Sequence, residues 1–317
     1  DVRSGKTAQF TISDLNFAAD LVVAKSTSHS EYWIVADVVR SFIGGLRWND
    51  SDAEGSGAAI TSVGATGYQS SSNWFTTGRT YATFNWDAGT STATNNDGSI
   101  AASVRVNQSA GFSIATWTGQ SSGSATVGHG LNAAPEWIIV KARTGSVGWT
   151  VGHQSIGWTK RVQLNTNAAP STSSNYWNDT APTNSVFTSG ANNVSNTFVA
   201  YCWAPVAGYS SFGSYTGNGS SDGTFVYTGF RVAWLMIKRT DTSENWEVRD
   251  STRNPHNRTN LTLFPHVTGA EDSGSVEFDM LSNGFKLRNT NGSTNASGGT
   301  YIYMAFAENP FKTARAR

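Results

Sequence analysis

The sequence predicts an all-β protein built from about three repeated units, and three observations carry that prediction. First, a segment in which a lysine is followed at a constant interval by a tryptophan occurs three times. It reads Leu21-Val22-Val23-Ala24-Lys25 then Trp33-Ile34-Val35, next Trp137-Ile138-Ile139-Val140-Lys141 then Trp149-Thr150-Val151, and last Trp234-Leu235-Met236-Ile237-Lys238 then Trp246-Glu247-Val248. An identical interval in all three copies is the mark of one structural unit built repeatedly. Second, 12 Trp, 16 Phe and 10 Tyr supply large apolar surfaces while 32 Gly supply turns, a mix that suits many short strands joined by tight loops. Third, no stretch sustains a helical period.

Taken in order, the polar start ends in Gln9-Phe10-Thr11-Ile12, whose alternation predicts one strand. Unit one covers residues 1–89. Its lead-in, Leu15-Asn16-Phe17-Ala18-Ala19, matches Leu131-Asn132-Ala133-Ala134-Pro135 at the same distance before the lysine. Residues 31–42 read as strand plus loop, with one helical turn at most. Unit one lacks an obvious opening strand, so either the segment before Ile12 fills that place in degenerate form or the strand comes from upstream or from another chain. An unfilled sheet edge invites pairing, so the edge is expected to be covered.

Residues 90–110 carry the turn signal Asn95-Asn96-Asp97-Gly98 and read as a linker, or as an edge strand over 100–106. Unit two is 111–207 and unit three 208–317. Only Ala204-Pro205-Val206-Ala207-Gly208 joins them, which predicts a fixed relation between the two.

Each unit closes on a strand in which Ala82, Phe84 and Trp86 match Val199, Tyr201 and Trp203, and Ile302, Met304 and Phe306. The two-residue spacing puts each set on one face, predicted as the core face. Asn85, Cys202 and Ala305 fall on the opposite, less buried face. Trp48 is aligned with Leu164 and Leu263.

The 22 basic residues balance the 22 acidic ones, so bulk charge attracts neither nucleic acid nor an acidic membrane. No apolar run approaches a membrane span, and Asp1-Val2-Arg3-Ser4 has no signal-peptide character. Cys202 is the only cysteine, which excludes an internal disulfide framework and a multi-cysteine zinc site.

The search for chemistry returns no catalytic residue, no metal site and no cofactor. Gly119-Gln120-Ser121-Ser122-Gly123 fits the nucleophile-elbow pattern, but no helix follows, and the matching loop at 217–223 reads as a polar hairpin. His29, His129, His153, His256 and His266 never take metal-ligand spacing. His153 occupies the place of Asp37 and Asp250 and is expected in a surface or loop hydrogen bond. Asp37 with Arg40 and Asp250 with Arg253 are expected to form local ion pairs or turn contacts, and Glu54 matches Glu271. Carboxylates gather at Glu271, Asp272, Glu277 and Asp279, of which Glu277 and Asp279 share a strand face, and such a pair could serve glycoside hydrolysis or bind calcium. Solvated charges or salt bridges are the competing account of them.

Aromatics carried by one copy alone do not belong to the shared core and are expected at a surface or interface. Trp177, which matches Ala58 and Ser275, and Trp74, in a loop with no matching ring, are therefore the candidate contacts for a glycan or a protein partner.

Four phrases carry a resemblance: Gly111-Phe112-Ser113-Ile114-Ala115-Thr116-Trp117-Thr118-Gly119, Val127-Gly128-His129-Gly130-Leu131-Asn132-Ala133-Ala134-Pro135, Leu281-Ser282-Asn283-Gly284-Phe285-Lys286-Leu287-Arg288 and Ala305-Phe306-Ala307-Glu308-Asn309-Pro310-Phe311. They resemble a repeat family of bacteriophage structural proteins, notably from marine and cyanobacterial phages. The resemblance covers nearly the whole chain and is strongest over 111–311. It implies tandem β-sandwiches similar to concanavalin-type or jelly-roll lectins, in a non-enzymatic virion component such as a tail fibre or surface appendage that contributes to host recognition. A capsid decoration or head-fibre protein is the alternative within the virion, and a carbohydrate-binding module or depolymerase the alternative outside it. The expected partners are copies of itself, for which a trimer suits a fibre, other virion proteins and a host cell-surface glycan.

Overall fold

The computed structural model describes residues 2–6 as backbone and 10–190, 195–274 and 276–309 in full. Gln9, Ser275 and the end of the last resemblance phrase from Pro310 lie outside these residues. The chain is all-β, and its strands are antiparallel.

The first seven strands are β1 (Val2–Lys6), β2 (Thr11–Ile12), β3 (Leu21–Ser26), β4 (Ile34–Asp37), β5 (Ile60–Gly64), β6 (Gly67–Ser70) and β7 (Tyr81–Trp86). They form a four-stranded sheet, β1-β7-β3-β4, and a smaller one, β2-β6-β5. A hairpin follows, β8 (Thr92–Asn95) and β9 (Ala102–Asn107), so residues 90–110 are paired structure, with β9 laid along the next strand.

The middle of the chain holds β10 (Phe112–Thr118), β11 (Ala125–Gly128), β12 (Trp137–Ala142), β13 (Thr150–His153), β14 (Lys160–Gln163), β15 (Ser171–Thr172), β16 (Val186–Ser189) and β17 (Thr197–Trp203). Here the order β10-β17-β12-β13 recurs inside an eight-stranded sheet, with β11 and β16 paired apart. The last strands are β18 (Ser210–Thr216), β19 (Phe225–Tyr227), β20 (Val232–Arg239), β21 (Trp246–Asp250), β22 (Phe278–Leu281), β23 (Gly284–Leu287) and β24 (Thr300–Ala307). They form β18-β24-β20-β21 and β19-β23-β22.

Register repeats along with order. Val23, Ile139 and Met236 each lie between a valine of the tryptophan strand (Val35, Val151, Val248) and a bulky residue of the closing strand (Phe84, Tyr201, Met304). Strand β1 pairs with β7 where β10 pairs with β17 and β18 with β24, so the segment before Ile12 fills the opening-strand place. The loop at 119–123 joins β10 to β11, and that at 217–223 joins β18 to β19. Each crosses from the main to the small sheet, so neither is a hairpin loop.

The lysine strands are buried on both faces, which is why they read as unbroken apolar runs rather than alternating ones. The inward face of each small sheet and the outer face of its main sheet enclose a local core, as around Ile12, Tyr68 and Phe75, around Val127, Trp177 and Phe187, and around Val226, Phe285 and Leu287. The bulky closing-strand faces do not point into these local cores. Ala82, Phe84, Trp86, Val199, Tyr201, Trp203, Ile302, Met304 and Phe306 all belong to one central core to which every copy contributes. Asn85, Cys202 and Ala305 on the opposite face are no less buried, at 2%, 0% and 0% exposed, because the small sheets cover them. Burial pushes the Cys202 thiol well up, which keeps it protonated and unreactive.

Around the central core a hydrogen-bond circuit closes on itself. The indole N–H of Trp33 donates to Phe264 O at 2.9 Å, that of Trp149 to Arg47 O at 2.6 Å, and that of Trp246 to Gln163 O at 2.9 Å. Each tryptophan thus reaches into a different copy. The acceptors follow Leu46, Val162 and Leu263, which pair with Val35, Val151 and Val248. Leu263 therefore stands with Leu46 and Val162, not with Trp48 and Leu164, because the connection before it is longer.

The three lysines share one environment. All are 0% exposed, and each Nζ donates to two carbonyls: Ser26 and His29 for Lys25, Ala142 and Ser51 for Lys141, Glu244 and Asn167 for Lys238. Burial lowers each from 10.5 to about 8.

The expected ion pairs are present and buried. Arg40 donates to Asp37 at 2.6 Å, to Glu54 at 2.8 Å and to Val35 O, and Tyr201 of the middle copy donates to Asp37 at 2.7 Å. Arg253 repeats this with Asp250, Glu271 and Val248 O. His153 makes the expected local hydrogen bond, to the turn that follows it, but inside the protein rather than at the surface. It is 0% exposed, stands edge-on to Trp137, accepts from Ser155 N–H at 2.9 Å, and burial lowers its pKa to about 4. Ile156, where the other copies have arginine, packs on the central core.

A candidate binding cleft at the edge of the first copy

Side-chain alternation in the segments beside β4 creates a surface next to the central core. Leu46 and Trp48 point inward at 1% and 3% exposed, so Arg47 between them points out. Trp33 is buried while its neighbour Tyr32 is 45% exposed. In the turn after β6, Trp74 and Phe75 N–H both reach back to Ser71 O. This turns Phe75 into the local core and leaves Trp74 half-buried at the surface.

Tyr32, Arg47 and Trp74 line a cleft of about 360 Å³ together with Ser30, Glu31, Ile34 and Asn73, and Thr268 from the third copy. The Arg47 guanidinium lies 4.1 Å from the Tyr32 ring centroid and 5.6 Å from that of Trp74, which ties the two rings into one surface. The indole is fixed from beneath. A Cβ on Gly45 or Gly55 would come within 2.8 Å of the ring, so glycine at both positions lets backbone support it, and Nε1 donates to Gly57 O at 3.3 Å. The junction with the third copy is closed by Glu31 N–H donating to Thr268 O at 2.8 Å.

The charged groups at the cleft are all paired, three acids against two guanidinium groups. Glu31 accepts from Tyr81 at 2.6 Å and Thr76 at 2.7 Å and pairs with Arg79. Burial and the Glu31 carboxylate push the Tyr81 hydroxyl up to about 12. Arg47 is 3.5 Å from both Asp50 and Asp52. Ser28 Oγ and His29 Nδ1 are 2.9 Å apart nearby, but among the described residues no carboxylate orients that ring.

Of the two candidate contacts, Trp74 lies in this cleft and Trp177 does not reach the surface. Trp177 is 1% exposed, edge-on to Trp158 at 5.3 Å and packed over Gly152, whose missing Cβ makes room for both indoles. A ring present in one copy only can thus fill a space left by a glycine in that same copy. Tyr32 and Arg47 were missed. The signal was available for Tyr32, whose counterparts after Lys141 and Lys238 are Gly148 and Asn245.

A larger cleft of about 560 Å³ lies between the turn after β13 and edge strand β18, but its rings, Tyr215 and Tyr301, are buried and stacked on each other. Glu277 and Asp279 are each tied to a guanidinium, Arg258 at 2.6 Å and Arg288 at 2.5 Å. Among the described residues no three His, Cys, Asp or Glu side chains converge as metal ligands, and no helix is long and apolar enough to cross a membrane.

Residues 1–310 match the family described as a domain of unknown function (DUF7483), and the chain belongs to that family. No curated protein matches it.

Proposed function

We propose that this protein is a non-enzymatic structural component of a bacteriophage particle, a tail fibre or surface appendage that contributes to host-surface recognition. The division into sandwiches at 1–89, 111–207 and 208–317, their likeness to lectin sandwiches and assembly into a homo-oligomer belong to the same proposal. The observation that carries it is the central aromatic core shared by all three copies. A chain whose largest core lies between its repeats is a rigid block, suited to bearing load and to holding surface loops in constant relation. The resemblance of the sequence phrases to phage structural proteins supplies the setting.

Immunogold electron microscopy of purified particles tests the proposal. Labelling of the tail or an appendage, at a few copies per particle, is expected. A particle exterior without this chain overturns it, and a copy number matching capsid lattice positions moves the protein to the head. If Glu277→Gln or Asp279→Asn abolished release of reducing ends from a host polysaccharide, the depolymerase reading would replace it.

A further inference from the structure

We infer that the Tyr32–Arg47–Trp74 cleft binds a neutral saccharide, with the apolar face of a pyranose ring against the aromatic surface. This deepens the host-recognition reading and rests on it for its biological setting, but not for its chemistry.

Several features of the cleft converge on that ligand. Its rings are partly exposed although the chain buries most of its other large aromatics. They are also preorganised, since Trp74 is backed by Gly45 and Gly55 and pinned to Gly57 O, so a ligand orders little on arrival. An aromatic face in water attracts the C–H face of a sugar by burying apolar area against an electron-rich ring.

Around the rings stand uncommitted polar groups. The side chains of Ser30, Tyr32, Asn73 and Thr268 line the cleft, and none of their hydroxyl or amide groups has a hydrogen-bond partner among the described residues. Small numbers of convergent donors and acceptors beside an aromatic wall are what a polyhydroxylated ligand requires.

Charge selects the class of sugar. Glu31, Asp50 and Asp52 face Arg47 and Arg79, and every one of these groups is paired. No surplus cation is left for a sialic or uronic acid, whose carboxylate would instead meet three acids against two guanidinium groups. The volume of about 360 Å³ suits one or two sugar rings rather than a folded partner. Position adds a role for the fold. Thr268 comes from the third copy, so the cleft is complete only when the first and third copies are docked.

The full chain, fluorescently labelled, is applied to an array of neutral oligosaccharides (glucose, galactose, mannose and N-acetylhexosamine oligomers) alongside sialylated and uronate-bearing ones. Hits are then titrated by tryptophan fluorescence. Binding to at least one neutral group is expected, weakened about tenfold or more by Tyr32→Ala and by Trp74→Ala. Gly45→Ala, which keeps the indole but displaces it, is expected to weaken binding comparably. Tyr227→Ala removes a ring that is 67% exposed, on β19 and outside the cleft lining, and should leave binding unchanged. Circular dichroism and melting temperature identify any variant that fails to fold, and Tyr32→Ala, at an exposed ring, provides the decision if the glycine variant does so. Binding confined to acidic glycans, no neutral glycan bound, or neutral binding indifferent to all three cleft variants overturns the inference. If cleft variants abolish adsorption of particles to host cells while no neutral glycan is bound, the recognition reading stands and this one fails. If a neutral glycan is bound but the chain is absent from particles, the reverse holds.

Discussion

Trp86→Ala is the sharpest test of a core shared between repeats. Trp86 is 6% exposed, and its ring centroid lies 6.1 Å from Trp203 in the middle copy and 5.8 Å from both Trp234 and Phe306 in the last. Truncating a buried tryptophan typically costs about 3–5 kcal/mol through lost transfer energy and the cavity left behind. Three edge-on partners, each worth about 0.5–1.5 kcal/mol beyond area, place this site at the upper end. Against a total stability of roughly 5–15 kcal/mol that is a large fraction, and at about 2 °C per kcal/mol for a chain of this size it lowers the melting temperature by roughly 10 °C. Calorimetry should show one transition moved as a whole. Hydrogen exchange read by mass spectrometry should show protection lost together in the lysine strands around Val23, Ile139 and Met236. If a transition remains at the wild-type temperature, or only residues 1–89 lose protection, the repeats fold independently and the reasoning fails.

Arg40→Ala leaves Asp37 buried without its cation and should cost about 3–5 kcal/mol in urea unfolding, whereas Tyr201→Phe, which leaves the Asp37–Arg40 pair intact, should cost about 1 kcal/mol. A Tyr201→Phe variant as damaging as Arg40→Ala would show that the cross-copy hydroxyl, not the ion pair, holds the site. His153 and His266 titrate near 4 when folded and near 6.5 when unfolded, both through burial. Between those values the unfolded chain binds more protons, so their contribution is full above pH 6.5 and is lost as pH falls through 4. The urea midpoint should drop over that window, and His153→Gln should flatten the drop. An unchanged slope would place the acid sensitivity elsewhere.

Much of the arrangement was legible in the chain because it is local. The constant Lys-to-Trp interval located three equivalent hairpins, and the two-residue period of the closing strands separated their faces correctly. The Asp37–Arg40 and Asp250–Arg253 pairs were legible from their place in the repeat, but not their burial or the part that Glu54 and Glu271 take in them. The cleft was half legible. Trp74 stood out as a loop aromatic without counterparts, while Trp177 satisfied the same criterion and proved to be core. Absence from the other copies shows that a ring is not shared, but it is silent on what a nearby glycine, here Gly152, makes room for.

By itself, then, the sequence determined the strands, their phase, the repeated lysine and tryptophan positions and the pairing of charges close along the chain, since backbone geometry and side-chain alternation act over a few residues. Only the tertiary structure decided that Phe84, Tyr201 and Met304 meet in one central core and that Asn85 and Cys202 are covered. It also decided that His153 replaces an ion pair inside the protein and that Tyr32, Arg47, Trp74 and Thr268 share a cleft. Period-two patterning distinguishes the faces of a strand without saying what lies on either, and that is settled by contacts between residues far apart in the chain.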